Sequence, residues 1–570
     1  MNATTSTPEL FAKHKESLDK ALEAVHKRTF YAHYPEPPSK RIYGETANDE
    51  GLAAYQAQIG NLLPLHQQHD ATLVSDEASP YTQEALNLSY PISENPQDYI
   101  DRAQDALKSW RKVDVQSRAA LLMESLDAIK ERFFELAYAT MHTTGQSFMM
   151  SFQASGPHAL DRAIETIALA LFEMNRFPTS TFEWVKPMGK FEVKMEKRYR
   201  FVPKGVGLAI GVSTFPVWNT VPGLYADLIT GNPVIVKPHP LSIYPIAIVV
   251  QEIQNVLAKH GLDVHIAQLA TDKAEAPITG AFTDSEAVKL IDFTGGNAYG
   301  DFIETLGGKG KTTFTEKAGV NSVILDSTDN LKKMLGNLGF SLSMYSGQMC
   351  TCPQNIFIPK DGIKVNGEQV SYDEVVAGLA KSMAGLATHP KAGPGILGAI
   401  QNPATAARVK EAASSLGKVL LEGPEVSNPE FPNARLAAPS LIEVAADQYE
   451  VFSKEVFGPI AMVIPTENTE ESLALAKKLA SEKGAISCTL HSTDEAVIER
   501  VEEEMAESAT PVSTNFTGNF WVNQNAGFSD FHVTGGNPAG NASLTDPSFV
   551  TKRFTIVGSR VFIPEPPAEA

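Results

Sequence analysis

Cysteine is nearly missing from this chain of 570 residues, which carries only Cys350, Cys352 and Cys488. Three dispersed thiols exclude a disulfide framework and point to a reducing compartment, the cytoplasm. Positive charge is also scarce. Against 67 acidic side chains stand 48 basic ones, a formal net charge of -19, which favours solubility and argues against nucleic acid or an anionic membrane as partner. No apolar run reaches the length of a membrane span. The polar opening from Met1 to Thr7 has no apolar core of the kind a signal peptide needs. The turn at 295–300 departs from the glycine fingerprint G-x-G-x-x-G of common dinucleotide-binding turns.

What is present suits an ordinary globular protein: 43% of residues are hydrophobic, enough for a buried core, and the length suggests about three to four structural units. Residues 1–95 read as an added N-terminal piece. A helix starts at Thr7-Pro8, with Phe11, Leu18, Leu22 and Val25 on one face, and is followed by the extended, surface-wrapping segment Tyr34-Pro-Glu-Pro-Pro38. A second helical region covers about 96–176, with Ile100, Ala103, Leu107 and Trp110 at helical spacing. His66 and His69 lack metal-ligand spacing, so no metal is expected.

From Phe201 strands and helices alternate, the grammar of an open, largely parallel α/β sheet. Strands are expected at 206–212, 231–237, 264–269 and 288–294, with helices at 216–230 and 244–260. The strand at 288–294 empties into Gly295-Gly296-Asn-Ala-Tyr-Gly300 and a helix at 301–306. Such a turn lets a phosphate approach the backbone and the helix N-terminus; a plain tight turn would require the same glycines. The alternation continues further on, with strands at 322–326, 354–359 and 460–465, helices at 330–345, 371–387, 404–416 and 470–482, and a Gly/Pro/Asn-rich loop at 423–435.

The chemistry gathers in two strings. Tyr345-Ser-Gly-Gln-Met-Cys350 places a cysteine after Gly-Gln at a loop opening toward a strand, and Thr312-Thr-Phe-Thr-Glu316 ends an apolar strand on a carboxylate. A thiol nucleophile with a carboxylate base suits attack on a carbonyl and later activation of water, which is aldehyde oxidation. A buried inert thiol and a solvated strand-end glutamate are the plain alternatives.

Read in order, Gly205-Val-Gly207, Phe215-Pro216, Gly231-Asn232, Val236-Lys-Pro238, Phe293-Thr-Gly-Gly-Asn-Ala-Tyr-Gly300, Glu316, Gly347-Gln-Met-Cys350 and Glu455-Val-Phe-Gly-Pro459 resemble the aldehyde dehydrogenase superfamily from about residue 96 onward. Ser213-Thr-Phe-Pro-Val-Trp-Asn219, Lys237-Pro-His-Pro240 and Thr534-Gly-Gly-Asn-Pro-Ala-Gly-Asn-Ala-Ser-Leu-Thr-Asp546 make it similar to the PaaN-type members associated with phenylacetate degradation. The resemblance implies a Rossmann-like cofactor domain (96–320, with an arm strand at about 190–202), an α/β catalytic domain (321–515), and a return to the cofactor domain with a C-terminal oligomerisation strand (516–570). It also implies a homodimer or homotetramer joined by the β-arm strands 191–202 and 552–562.

By the same resemblance Cys350 is the nucleophile and Glu316 the base that hydrolyses the thioester. Lys237 binds the cofactor ribose or phosphate, Glu455 and Phe457 hold the nicotinamide ribose and ring, and Gly295, Gly296 and Gly300 shape the pyrophosphate turn. Cys352 is read as packing. Two positions depart from the family pattern. Thr214 occupies the place of the usual oxyanion asparagine, a loss worth on the order of a hundredfold in rate, with Asn219 or the Cys350 backbone N–H as substitutes. Pro240 replaces a glutamate that holds the adenosine ribose in many NAD enzymes. That tips the expected cofactor toward NADP over NAD, with His239 either a phosphate contact or a plain loop histidine. The expected substrate is a semialdehyde of aromatic-ring breakdown, free or linked to coenzyme A. Rival readings are a coenzyme A-acylating dehydrogenase on the same fold and a non-catalytic scaffold.

Overall fold

Two parallel sheets organise the chain. The computed structural model describes residues 7–564 apart from 68, 70, 179 and 519–531. The polar start at residues 1–6 and part of the 516–570 return segment therefore lie outside the described residues.

The first sheet has five parallel strands in the order Ala267–Leu269, Val234–Lys237, Val206–Ile210, Val288–Gly295 and Thr312–Lys317. Val206–Ile210 and Val234–Lys237 are near-continuous apolar runs because helices cover both faces of this sheet, leaving no solvated side to alternate toward. The chain starts in the middle, moves outward through two strands, then returns to the other side of its first strand. The order therefore reverses between Val206–Ile210 and Val288–Gly295, and in open α/β sheets a ligand crevice opens at the carboxyl ends of such a pair.

The second sheet has seven strands, Lys418–Leu421, Ser440–Glu443, Ile460–Thr466, Pro353–Pro359, Asn321–Leu325, Cys488–His491 and Val512–Thr514, parallel except at the first pair. A third, antiparallel sheet of Phe182–Met188, Phe191–Pro203 and Phe554–Ile563 projects as an arm. Val557, Val561 and Phe562 are exposed on it.

Helix boundaries follow the capping chemistry. Asn95 accepts from the Gln97 N–H ahead of Pro96–Trp110, Asp114 caps Val115–Lys130, and Ser371 with Glu374 forms a capping box at Tyr372–Ala387. The region 96–176 is a set of successive helices ending in Ala159–Asn175. The N-terminal helix Thr7–Lys27 packs on Val115–Lys130 and Ala159–Asn175, burying Leu18 and Val25 with Phe11 and Leu22 against the same core.

Several expectations shift. Tyr34 does not lie on the surface: it is 3% exposed and its hydroxyl donates to Asp127 Oδ1 at 3.1 Å. The stretch at 264–269 opens as a short 3-10 turn before its strand. The helix at 330–345 ends at Ser343, because Tyr345, Ser346 and Gly347 take φ of 49°, 48° and 65°, which no right-handed helix accommodates. The helix expected at 301–306 begins earlier and runs Asn297–Thr305. No described helix is long and apolar enough to cross a membrane.

Candidate active site

Cys350 follows a turn held from several sides. The Tyr345 hydroxyl donates to Thr144 O at 2.5 Å, Ser346 Oγ to the carbonyls of Leu397 and Ala437, and the Gln348 amide to Ala399 O. Three consecutive left-handed residues cost strain, and these bonds make that conformation the satisfied one. Gly347 is required twice over, by its positive φ and because a Cβ there would sit 2.4 Å from Gly458 O. The cysteine turn thus lies against the loop carrying Glu455 and Phe457. Asn321, at the start of the next sheet's strand, donates to Cys350 O at 2.7 Å and to Cys352 O at 3.1 Å.

The structure brings Glu316, Cys350 and Asn219 together. Cys350 Sγ lies 3.8 Å from Glu316 Oε1, and the Asn219 amide donates to that same oxygen at 2.9 Å. Thr214 is not seen to join them; what the structure records is its carbonyl accepting from Gln146 at 2.8 Å. The sequence reading missed two neighbours. His532 Nε2 is 3.2 Å from Glu316 Oε1 and 4.0 Å from Cys350 Sγ. Arg162, 3% exposed, stacks its guanidinium 3.5 Å from the centre of the Trp218 ring and lines the same cleft as Asn219, Glu316 and His532. Its Nη1 donates to Trp218 O, while its Nε is buried with no hydrogen-bond partner among the described residues. His532 stands two residues before the Thr534 string, a position with no motif of its own to flag it.

The charges are arranged for a thiol protonated at rest. Burial, then the nearby carboxylates of Glu316 and Glu455, push the Cys350 thiol well above its ordinary range. Burial works against the charged form of Glu316 as well, yet His532, Arg162 and the Asn219 hydrogen bond outweigh it and hold this carboxyl below its usual value. A proton acceptor therefore waits beside a reluctant thiol. Cys352 is raised to about 12 by burial and directs its sulfur to Ser341 O and Pro353 O.

At the carboxyl ends of the first sheet stand Lys237, His239 and the Gly295-Gly296 turn. Lys237 ends its strand with Nζ 2.6 Å from Asp272 Oδ1, both side chains almost fully buried. Asp272 was not anticipated from the sequence. His239 is lowered to about 4, first by burial and then by Lys237, so its ring is neutral at pH 7, and its Nδ1 accepts from Leu241 N–H. Gly296 is the N-cap of Asn297–Thr305, and a Cβ on it would meet open space. This helix start without a side-chain cap follows a strand at the switch point, and Lys237 ends the strand on the far side of Val206–Ile210; such a start could hold the phosphates of a dinucleotide. Gly295 lies under the Phe293 ring, 2.7 Å from a would-be Cβ. Gly300 is not in the turn: it sits inside the helix, where a Cβ would lie 2.4 Å from Lys317. Its smallness serves helix-to-strand packing. Glu455 is raised to about 7 by burial, against the pull of Arg408, whose guanidinium donates to Phe457 O.

A thiol, a carboxylate and a switch-point crevice fitted for a dinucleotide define a thiol-dependent dehydrogenase. Residues 69–540 match the family model described as "Aldehyde dehydrogenase family", and the chain belongs to that family, whose members oxidise aldehydes with a nicotinamide cofactor. An NAD-dependent aldehyde dehydrogenase from Burkholderia multivorans superposes with a TM-score of 0.94 at 43% identity, covering 98% of this chain and 99% of its own. A 2-hydroxymuconic semialdehyde dehydrogenase from Pseudomonas sp. (strain CF600) is 27% identical over 67% of this chain and 76% of its own length. A glyceraldehyde-3-phosphate dehydrogenase from Methanocaldococcus jannaschii complexed with NADP shares the fold, with a TM-score of 0.67 at 20% identity over 86% of this chain and 99% of its own.

Proposed function

We propose that this protein oxidises a semialdehyde bearing an anionic group to the free carboxylic acid, using NAD. The single observation that carries the reading is the contact of Cys350 Sγ with Glu316 Oε1 at 3.8 Å. As Sγ attacks the aldehyde carbon, its proton passes to Glu316, a C–S bond forms, and the carbonyl electron pair moves to oxygen. Asn219 spends one N–H on Glu316 and has a second for that oxyanion. The nicotinamide cofactor, when bound, supplies the acceptor for the hydride whose loss leaves a thioester on Cys350. Glu316, its proton released, then takes one from water, and hydroxide displaces the thiolate to give the acid.

Three features support the finer parts. The unpaired Nε of buried Arg162 beside the reacting groups favours a carboxylate on the substrate, in keeping with the relative named for a muconic semialdehyde. Similarity to the PaaN-type members supports aromatic-ring breakdown as the source of that semialdehyde. For the cofactor, Pro240 alone tips toward NADP, but Asp272 restores a carboxylate at the strand end, neutralises Lys237, and sits beside an uncharged His239. A 2'-phosphate would find no net positive charge there, so NAD is the better fit, as in the NAD-dependent Burkholderia protein. Lys237, Glu455, Phe457 and Gly296 hold the cofactor, and the arm strands join subunits into a homo-oligomer.

The test is absorbance at 340 nm with a panel of semialdehydes and neutral aldehydes, each with NAD and NADP. Turnover is expected with NAD, faster for the anionic aldehydes, and lost in Cys350→Ala. Turnover surviving that substitution would end the proposal.

A further inference from the structure

His532 rides on a segment built around the strand that ends in Glu316. Gly540 bridges to Glu316, Lys317 N–H donates to Ala539 O at 2.6 Å, and Thr315 N–H donates to the Asn541 side chain at 2.8 Å. On the other side Thr534 Oγ1 donates to Ala509 O, and Asn537 to the carbonyls of Ala485 and Ala509. Between these anchors the imidazole stands edge-on to Trp218, with ring centres 4.8 Å apart at 85°. It is 6% exposed. Its Nε2 meets Glu316 Oε1 at 3.2 Å, and its Nδ1 has no hydrogen-bond partner among the described residues. The polar engagement of the ring is thus with the active-site groups, and the carboxylate is the nearer of them.

We infer that His532 is the positioning residue of the general base: by donating from Nε2 it holds Glu316 ionised and turned toward Cys350. This rests on the roles proposed above for those two residues. The physical need is plain. A thiol and a carboxyl 3.8 Å apart in a buried site share their protons, and neither readily gives up the first one without a compensating donor or cation. The groups that face Glu316 are Cys350, whose thiolate would oppose ionisation, and Asn219, Arg162 and His532, which favour it. Arg162 stands off the carboxylate and is bonded to Trp218 O. His532 touches it. Without His532 the pair loses its first proton at higher pH, so less base is ready for the thiol and for water on the acid side of neutrality.

The test uses two readings on full-length protein, the parent against His532→Asn and His532→Gln. The first is the rate of Cys350 alkylation by iodoacetamide from about pH 4 to about pH 10, followed by peptide mass spectrometry, which needs neither substrate nor cofactor. The second is kcat against pH. In His532→Asn the acid limb of both profiles is expected to move up by about one pH unit, a roughly tenfold loss at a fixed pH on that limb that recovers as the pH rises. His532→Gln, which keeps an N–H with longer reach, is expected to return part of the shift. Profiles that superimpose on the parent, or a fall that is uniform across pH, would overturn the inference. Should His532→Asn lose its fold by thermal melting, His532→Gln is decided by the same two readings. A parent that turns over no aldehyde while the alkylation profile shifts would sink the dehydrogenase proposal and leave the role of His532 standing.

Discussion

Glu316 Oε1 receives Asn219, His532 and Cys350 at once, and the proposed chemistry turns on that oxygen. Replacing Glu316 with Gln keeps the shape and removes the base. On the proposed mechanism kcat falls by about a hundredfold to ten-thousandfold, and added coenzyme A restores nothing. Steady-state rates with and without coenzyme A check this; rescue by coenzyme A would favour the acylating rival. Of this site, the sequence made Cys350 and Glu316 legible because each sits in a string whose chemistry is local: a thiol after Gly-Gln, a carboxylate ending an apolar strand. His532, Arg162 and Asp272 were not legible. They enter by tertiary proximity, His532 lying 216 positions from Glu316, and nothing in their own neighbourhoods distinguishes a working side chain from a buried one. Gly300 errs the other way, since glycine spacing cannot tell a turn from a close helix contact.

At the scale of elements, apolar runs and caps made most strands and helices legible. Strand ends moved by up to three residues and the helix at Asn297–Thr305 begins four early, while the early end of Leu331–Ser343 arose where the active-site turn imposes positive φ on Tyr345 and Ser346. Functional strain overrode local preference. The N-terminal piece shows the same limit: amphipathic spacing revealed its first helix, but not the burial of Tyr34. A helix-borne acid ties this piece down. Asp161, on Ala159–Asn175, accepts from His33 N–H at 3.0 Å, and burial raises it from 3.8 to about 8. The native state thus holds a proton that the unfolded chain has lost, so this contribution to stability is complete below about pH 4 and is lost as pH rises through about 8. Melting temperature should fall across that window, and Asp161→Asn, which keeps an acceptor oxygen, should flatten part of the slope. An identical slope in the variant would remove Asp161 as its source.

For the whole molecule, the arm is the surface that asks for a partner. Val557, Val561 and Phe562 are 52%, 62% and 63% exposed along one strand, a cost that pairing with another copy would relieve. Light scattering of Val561→Glu with Phe562→Glu should show a smaller assembly than the parent, with the melting of the remaining fold little changed. An unchanged mass would remove the arm as an interface.

The root of that arm strand has a different consequence. Arg553, fully buried, reaches Asp227 at 2.6 Å and grips Asp292 with two nitrogens, carboxylates that lie 326 and 261 positions earlier in the chain. Stranding buried carboxylates without their cation costs about 3–5 kcal/mol. During synthesis the strands of the first sheet and both carboxylates are made long before their counter-charge, so this buried cluster stays electrostatically unfinished until residue 553 has emerged. Chains cut short of that arginine would carry every strand of the first sheet and still leave Asp227 and Asp292 without their counter-charge.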